Sequence, residues 1–465
     1  MNKIDDIKVE AIFLVFCLIF GSIFAMINPP FMAPDEGSHF IKAFDVSQGN
    51  FISENPIKIP KSFSIPGVID QGSLEKRDVE SSKKINYTSY FNSPLNIEHV
   101  QESYTSAISY MPLPYLGTAF VIKVGELFNT SPLLLMYFGR LINLLIYAII
   151  VYFSIKIVPI GKYVLLLLAL MPMSLYVASS ISTDSLNLAL SFFAICLFLN
   201  LAFKKDKIRK KYIILVSILL LCLVLSKQIY ALLGLLFFII PKSKFDGLKS
   251  RLFFFISIFS PSIIVSISLN FLFKISNLLN GLVYSSNSSS VTNQLILQDI
   301  LWNKLIFVFD LLNIIINSII TWFNQYIITF VGCFGWSVLD NPLPLFLVYL
   351  YLIILVVVSI LDVSKFKLSY IQKIIFLLIC FLESMILFII AWNWTPTGFK
   401  LIYGVQGRYF IPFAPLIFLT LQNNKISHYI GRKSYSDYLS YFIIGFIIIM
   451  LSISSYILYH GYFLF

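Results

Sequence analysis

The stretch that decides the fold class is "AIFLVFCLIFGSIFAMINPPFMAPDEGSHF", residues 11–40. Residues 11–27 carry no charge, and two prolines separate them from Asp35, Glu36 and His39. An apolar run of about this length lets a helix cross roughly 30 Å of hydrocarbon. Such runs recur along the chain, which is 58% hydrophobic and 12% charged. The sequence therefore predicts an all-α polytopic membrane protein.

The first apolar run also has the length of a signal peptide. No small-x-small cleavage site precedes the prolines, and acidic residues lie in the leading segment. We therefore expect a retained first span. The sequence predicts a bundle of about eleven transmembrane helices, near residues 11–28, 132–153, 163–179, 185–203, 212–226, 228–241, 252–273, 343–361, 372–391, 409–422 and 438–459.

Basic loops set the predicted orientation. "KKDKIRKK" (204–211) is the most basic loop, which places it in the cytoplasm. The segments "KIVPIGK", "PKSKFDGLKSR", "SKFK" and "NNKISHYIGRK" then fall on the same side. The N-terminus is expected inside and the C-terminus outside. The formal charge of +11 is explained by these loops, so we expect no nucleic-acid partner.

Two long segments, 29–131 and 274–342, are expected to be extracytoplasmic and to contain interfacial helices. Within the second, 304–333 is apolar enough to span but is assigned to an interfacial or re-entrant helix pair. We expect a single integral membrane domain over 1–465, without a soluble C-terminal domain. The five cysteines show no paired spacing, which favours buried thiols over disulfides or a metal site.

Ionisable residues inside spans are expensive to bury, so they are functional candidates. Each also has an ordinary explanation. Pro34, Asp35 and Glu36 match the start of a helix, and Asp184 matches an N-cap. Arg140 could reach the interface from a helix end. Lys227 could be a turn residue, and Arg408 could belong to an ordinary loop. Together, however, these residues converge on the predicted outer face. They predict a pocket with carboxylates for proton abstraction or metal binding and cations for a lipid-linked phosphate.

The motifs resemble a known family. "PPFMAPDEGSHFIKAFDVSQGNF", "YMPLPYLG", "FGRLINLL", "ASSISTDSLNLAL", "LSKQIYALL", "GCFGWSVLDNPLP" and "GVQGRYFIPFAPL" occur in the order seen in the membrane-protein family called domain of unknown function 2142. The resemblance covers roughly 28–422. That family in turn resembles the GT-C glycosyltransferases, which use polyprenyl-phosphate sugars as donors.

The resemblance implies roles for individual residues. Asp35 matches the catalytic base that follows the first span, with Glu36 as its alternate. Asp184 matches a second acid, which orients the acceptor or, in some members, helps to hold a divalent cation such as Mg or Mn. Arg140, Lys227 and Arg408 would neutralise the departing lipid phosphate.

A wider set of side chains is expected to contact substrate. It comprises His39, Tyr110, Asn143, Trp336, Asp340, Gln406 and Tyr409. His39 is equally consistent with a structural role. Tyr87, Tyr90, Phe91 and Tyr104, in the polar stretch 53–106, match either a sugar-stacking surface or a solvated loop.

These observations predict an enzyme of the bacterial plasma membrane. It would transfer a sugar from a polyprenyl-phosphate donor to an extracytoplasmic glycan or a lipid-linked glycan, with its active site on the outer face. The first alternative is a polymerase or ligase that joins whole lipid-linked glycans. The second is a non-enzymatic flippase or transporter, which predicts charged residues at mid-membrane and on the inner side.

Overall fold

The computed structural model describes residues 8–65, 87–204, 207–281, 304–335, 340–361, 364, 366–395, 399–423 and 433–463. Within these residues seven helices are long and apolar enough to cross a membrane. They are Val9–Ile27, Pro132–Ile157, Thr183–Phe203, Leu248–Ser268, Asp310–Val331, Tyr370–Asn393 and Tyr438–Phe463. The predicted all-α polytopic membrane architecture is confirmed. The number of eleven spans stays a prediction.

The helices, in chain order, are α1 Val9–Ile27, α2 Glu36–Ser47, α3 Thr88–Phe91, α4 Leu116–Leu127, α5 Pro132–Ile157, α6 Lys162–Ala169, α7 Pro172–Ala178, α8 Thr183–Phe203, α9 Lys210–Ser226, α10 Leu248–Gly281, α11 Lys304–Val331, α12 Leu345–Leu361, α13 Tyr370–Trp394, α14 Ala414–Thr420 and α15 Lys433–Phe463. Two short strands, β1 Ile57–Pro60 and β2 Val100–Ser103, pair antiparallel. Helices of the 3₁₀ type are Lys61–Phe63, Ser106–Ser109, Leu113–Tyr115, Gln228–Ile239, Lys242–Lys244 and Gly407–Phe413.

Several predicted spans differ from regular α-helices. The segment 163–179 is divided into α6 and α7, because Pro172 has no N–H with which to continue the helix. The segment 228–241 is mostly 3₁₀ helix, and 409–422 combines a 3₁₀ helix with α14. The helix pair expected over 304–333 is one continuous helix, α11. Its apolar length suits a span, so the expectation of a pair was wrong.

Buried side chains complete the backbone hydrogen bonds at the break between α6 and α7. Tyr351 Oη donates to the Leu167 carbonyl at 2.7 Å, and Tyr147 Oη donates to the Ala169 carbonyl at 2.8 Å. Unpaired carbonyls inside hydrocarbon would cost several kcal/mol. The break is therefore a stable feature of the fold.

The described part of 29–131 folds as a structured layer with its own apolar core. Phe40 of α2 stacks on Phe63 with ring centroids 5.0 Å apart, and Ile122 and Leu133 add α4 and α5 to the same cluster. Asp45, near the end of α2, accepts from Asn50 Nδ2 at 2.7 Å. This layer fixes α2 against α4, and α2 begins directly after Asp35.

Candidate active site

Asp184 lies in the first turn of α8, a mostly buried helix at the centre of the bundle. Ser182 precedes the helix, and its Oγ accepts the Asp184 N–H at 3.1 Å. Ser182 therefore provides the cap, and the Asp184 carboxylate is available to other side chains. The helix dipole favours a negative charge in this turn.

Two cations approach this carboxylate from distant parts of the chain. Lys227 Nζ donates to Asp184 Oδ1 at 2.9 Å, and Arg408 Nε lies 3.7 Å from Asp184 Oδ2. The side chains are 21% exposed for Lys227, 16% for Asp184 and 6% for Arg408. Because little water reaches the cluster, its charges interact more strongly than surface ion pairs do.

Lys227 is directed into the site by a break in the helix. Its backbone is extended, with φ −156° and ψ 105°, between α9 and the 3₁₀ helix Gln228–Ile239. Its Nζ also lies 4.6 Å from the centroid of the Tyr409 ring. A cation is attracted to an aromatic face at this distance. Lys227 is thus a turn residue whose charge is held between a carboxylate and a ring.

Arg408 is positioned by the residue before it. A Cβ on Gly407 would lie 1.9 Å from the Tyr326 carbonyl oxygen, so only glycine lets this segment pack so closely on α11. From there Arg408 reaches Asp184, and its Nη2 donates to Tyr409 Oη at 3.3 Å. The loop that carries Arg408 is therefore fixed by backbone packing.

Asp35 lies at the start of α2 and has a left-handed backbone, with φ 58° and ψ 12°. Such a conformation is uncommon outside glycine and costs about 1–3 kcal/mol when it is held at a functional site. The Asp35 side chain is exposed. His39, one turn later, is buried, and its Nδ1 lies 2.7 Å from Tyr115 Oη. The Tyr110 ring lies 5.5 Å from the His39 ring.

His39 connects α2 electrostatically to the Asp184 cluster. Burial holds the pKa of His39 below its usual range. Asp35 and Asp184 oppose this shift in the His39 pKa, whereas Arg408 and Lys227 strengthen it. The residues from α2, α8 and the two 3₁₀ segments are therefore close enough for their charges to act on one imidazole.

Arg140 and Glu36 form a different, closed arrangement in which both side chains are 0% exposed. Arg140 Nε and Nη2 donate to the two Glu36 carboxylate oxygens at 2.8 and 2.6 Å. Its other donations reach the carbonyls of Ala25 at 2.8 Å, Asn28 at 2.6 Å and Pro29 at 2.9 Å. All five guanidinium N–H groups are thus used.

This geometry argues against two of the predicted roles. Arg140 has no N–H left for a donor phosphate. Glu36 accepts from Arg140 and also from the Ile181 N–H at 3.0 Å, so its oxygens are not directed at a substrate. The pair instead joins the end of α1 to α2, α5 and the turn before α8. We assign it to the framework of the site.

The other predicted contact residues are distributed around the site. Tyr409 lies under both cations, and the neighbouring Gln406 accepts the Tyr409 N–H at its carbonyl. Asn143 donates to the Ser180 carbonyl at 3.0 Å and lines a cleft of about 200 Å³. Asp340 is buried in the turn after α11. Trp336 lies outside the described residues.

The four aromatic residues expected to stack on sugars are not one surface. Phe91 stacks on Tyr137 of α5 with ring centroids 6.0 Å apart, and Tyr87 and Tyr90 pack against the core of this layer. Tyr104 is 61% exposed. Of the four, Tyr104 best fits a role in stacking on a ligand.

The residues do not fit a divalent cation at Asp184. Its carboxylate already binds Lys227 and lies beside Arg408. Among the residues that the structure describes, no group of three or more His, Cys, Asp or Glu side chains could hold a metal ion.

The sequence reasoning missed Tyr115, Asn187, Tyr230 and Glu383. Asn187 follows Asp184 by one helical turn, a spacing that places both on one face. Glu383 is a buried acid inside the span of α13, and its two carboxylate oxygens find no hydrogen-bond partner among the described residues. The rule that singled out Asp184 would also have found Glu383.

The fold and the site define a polytopic helical membrane protein with a half-enclosed cluster of carboxylates and cations at the ends of its helices. The chain belongs to the DUF2142 family of predicted membrane proteins, whose model matches residues 18–417. This confirms the family resemblance of the motifs. No curated protein matches the chain significantly, and no solved structure does.

Proposed function

We propose that this protein is a membrane glycosyltransferase that moves a sugar from a polyprenyl-phosphate donor to an extracytoplasmic glycan or lipid-linked glycan. The observation that carries the proposal is the Lys227–Asp184–Arg408 cluster, together with the exposed Asp35, which no hydrogen bond engages among the described residues. The cluster supplies cations for a phosphate, and Asp35 supplies a carboxylate for a proton. These are the two requirements of glycosyl transfer from a lipid phosphate.

Asp35 acts as the general base. An acceptor hydroxyl oxygen attacks the anomeric carbon of the donor, and its proton passes to the Asp35 carboxylate. The bond between the anomeric carbon and the phosphate oxygen breaks, and the electron pair leaves with the lipid phosphate. Among the described residues no hydrogen bond engages the Asp35 side chain, which is exposed.

Lys227 and Arg408 stabilise the lipid phosphate as it leaves. In the free protein the single carboxylate of Asp184 offsets only one of their two positive charges. A phosphate that arrives at this cluster competes with Asp184 for both cations. Because charge on the phosphate oxygen increases in the transition state, these contacts affect turnover as well as binding.

A groove on the bundle surface supports a lipid substrate. Its upper end is the cleft that contains Asn143, Ser182 and Ser185. A second, apolar groove of about 250 Å³ lies further along the same face of α5 and α8 and is bordered by α9. From Asn143 to Phe153 this face extends about 15 Å at the rise of an α-helix. That is about half the hydrocarbon thickness, which suits a chain in one leaflet.

The predicted orientation supports an external active site. The basic segment 204–211 lies at the C-terminal end of α8, whereas Asp184 lies at its N-terminal end. A cytoplasmic position for the basic loop then gives the site an extracytoplasmic position. In a bacterium the membrane concerned would be the plasma membrane.

The experiment is transfer by the purified protein in liposomes supplied with radiolabelled polyprenyl-phosphate sugars. Asp35→Asn removes the base, and asparagine tolerates the left-handed backbone. We expect a loss of about 100-fold or more in turnover, as for removal of a general base. The matched control is Glu98→Gln, an exposed acid in the same external layer. Equal transfer by Asp35→Asn and wild type would exclude Asp35 as the base.

The same reaction separates the alternatives. Addition of single sugars supports the transferase, and joining of whole glycans supports the polymerase or ligase. Glu383 is a feature that the transport alternative predicts, since it lies within a span. Vectorial movement of a lipid-linked sugar that survives Asp35→Asn, with no covalent product, would favour transport.

A further inference from the structure

A very small cavity adjoins the candidate site and extends one turn further along α8. Asp184, Asn187 and Arg408 contribute its polar lining together with Tyr230, and the cavity has a volume of about 10 Å³. That volume holds about one oxygen atom. Its remaining walls are apolar. The cavity therefore has room for one small polar group.

Two of the lining groups are buried without a hydrogen-bond partner among the described residues. Asn187 is 1% exposed, and neither its Oδ1 nor its Nδ2 has a hydrogen-bond partner among the described residues. The same holds for Arg408 Nε in the described part of the chain. An unsatisfied buried polar group costs about 1–3 kcal/mol. Groups that face a shared cavity in this state are prepared for a ligand atom.

The chemistry of the lining selects the occupant. Arg408 Nε and Asn187 Nδ2 are donors, whereas Asn187 Oδ1 and the Asp184 carboxylate are acceptors. A cation would meet the guanidinium of Arg408. A phosphate oxygen only accepts, so it would leave the acceptors unpaired beside a negative charge. A hydroxyl donates one hydrogen bond and accepts up to two, and it satisfies both kinds of group.

We propose that this cavity binds a single hydroxyl group on the sugar of the lipid-linked donor. The inference rests on the proposed function, because a phosphate at Lys227 and Arg408 holds its attached sugar beside the cavity. Asn187 is then the specificity-determining residue, since it presents a donor and an acceptor to one sugar position. Donors that lack this hydroxyl, or carry it in the other orientation, leave the buried groups unpaired.

The test compares Asn187→Leu with Ser191→Ala. Leucine removes both amide atoms and keeps a side chain that is branched at Cγ. Ser191 is also buried and unpaired among the described residues, one turn further along α8, but it does not line the cavity. Transfer is measured with polyprenyl-phosphate glucose, galactose and mannose, and with monodeoxy forms of the sugar that is used best.

Wild type and Ser191→Ala should reject one monodeoxy donor by about 10- to 100-fold in kcat/KM, the effect of one lost hydrogen bond to a charged site. With the parent donor, the kcat/KM of Asn187→Leu should be lower than that of wild type by the same factor. This variant should show no preference between the parent donor and the monodeoxy donor. Equal loss with every donor, or discrimination that survives Asn187→Leu, would overturn the proposal. It would then follow that the cavity holds only water.

A second measurement separates this proposal from the proposed function. Without ligand, Asn187→Leu should unfold at the same or a higher temperature than wild type, because it removes an amide that has no hydrogen-bond partner among the described residues. A lower temperature would make Asn187 structural and overturn the inference. If no donor is transferred, the proposed function fails. The cavity is then tested by binding. Donors with an intact sugar should raise the melting temperature of wild type more than monodeoxy donors do, and this difference should be absent in Asn187→Leu.

Discussion

Replacement of Arg140 should unfold the protein rather than weaken the binding of a phosphate. In Arg140→Met the Glu36 carboxylate keeps only the Ile181 N–H, and the carbonyls of Ala25, Asn28 and Pro29 lose a donor. Breaking a buried ion pair from one side costs about 3–5 kcal/mol. We expect Arg140→Met to lose at least that much unfolding free energy.

Arg140→Lys is the sharper variant, because it keeps the charge. A lysine ammonium has three donors in place of five, so at least two of the five contacts are lost. With each buried acceptor that is left unpaired costing about 1–3 kcal/mol, the loss is about 2 kcal/mol or more. A phosphate ligand, in contrast, would tolerate lysine with little change in stability.

The assay is unfolding in mixed micelles of a mild detergent and SDS, followed by circular dichroism. The control is Lys207→Met, which removes an ion pair with Asp246 whose side chains are 67% and 66% exposed. Exposed pairs contribute about 0–1 kcal/mol. If Arg140→Lys unfolds like wild type while binding of polyprenyl phosphate falls, the framework role is refuted and the phosphate role returns.

Three further predictions concern other positions. The pKa of His39 in the folded protein is below the unfolded value of 6.5, so protonation favours unfolding. The melting temperature of wild type should therefore fall as the pH drops below about 6.5, and it should fall less in His39→Gln. The control His99→Gln, which changes an exposed histidine, should follow wild type. Gly407→Ala should lower the melting temperature by several degrees and reduce transfer, because the new Cβ would clash with the backbone of Tyr326 and Phe330. The control Gly445→Ala should not lower the melting temperature, because no atom lies within 4 Å of its new Cβ. Similar melting temperatures for the two variants would contradict the packing argument. Glu383→Leu should raise the melting temperature, because it removes a buried carboxyl that has no hydrogen-bond partner among the described residues. A drop in the melting temperature, or in transfer, would give Glu383 a role that the structure does not explain.

Apolar length predicted most long helices correctly, because spanning requires it regardless of tertiary contacts. The local type of helix was harder to predict from the sequence. Pro172 marked the division of α6 from α7, but nothing near Gln228 or Gly407 distinguishes a 3₁₀ helix from an α-helix. These segments owe their form to packing against neighbours, as the contact of Gly407 with α11 illustrates.

The sequence predicted the site as one set of residues. It did not separate the buried Glu36–Arg140 pair from the cluster around Asp184. Depth in the membrane selected Asp35, Glu36, Arg140, Asp184 and Lys227 alike. What distinguishes them is which partner each side chain meets, and those partners lie far apart in sequence. Asn187 and Tyr115 were missed because uncharged polar residues carry a weak signal, and only their neighbours reveal their surroundings.

The ion pair between Glu36 and Arg140 also constrains how the chain is made. The two residues are 104 positions apart, so the ribosome delivers the carboxylate well before its partner. A lone carboxylate pays a penalty of several kcal/mol in a dry interior. The start of α2 must therefore wait in interfacial water after α1 has inserted, until α5 arrives. The pair therefore forms only after α5, the second long apolar helix in the described part of the chain, has begun to insert.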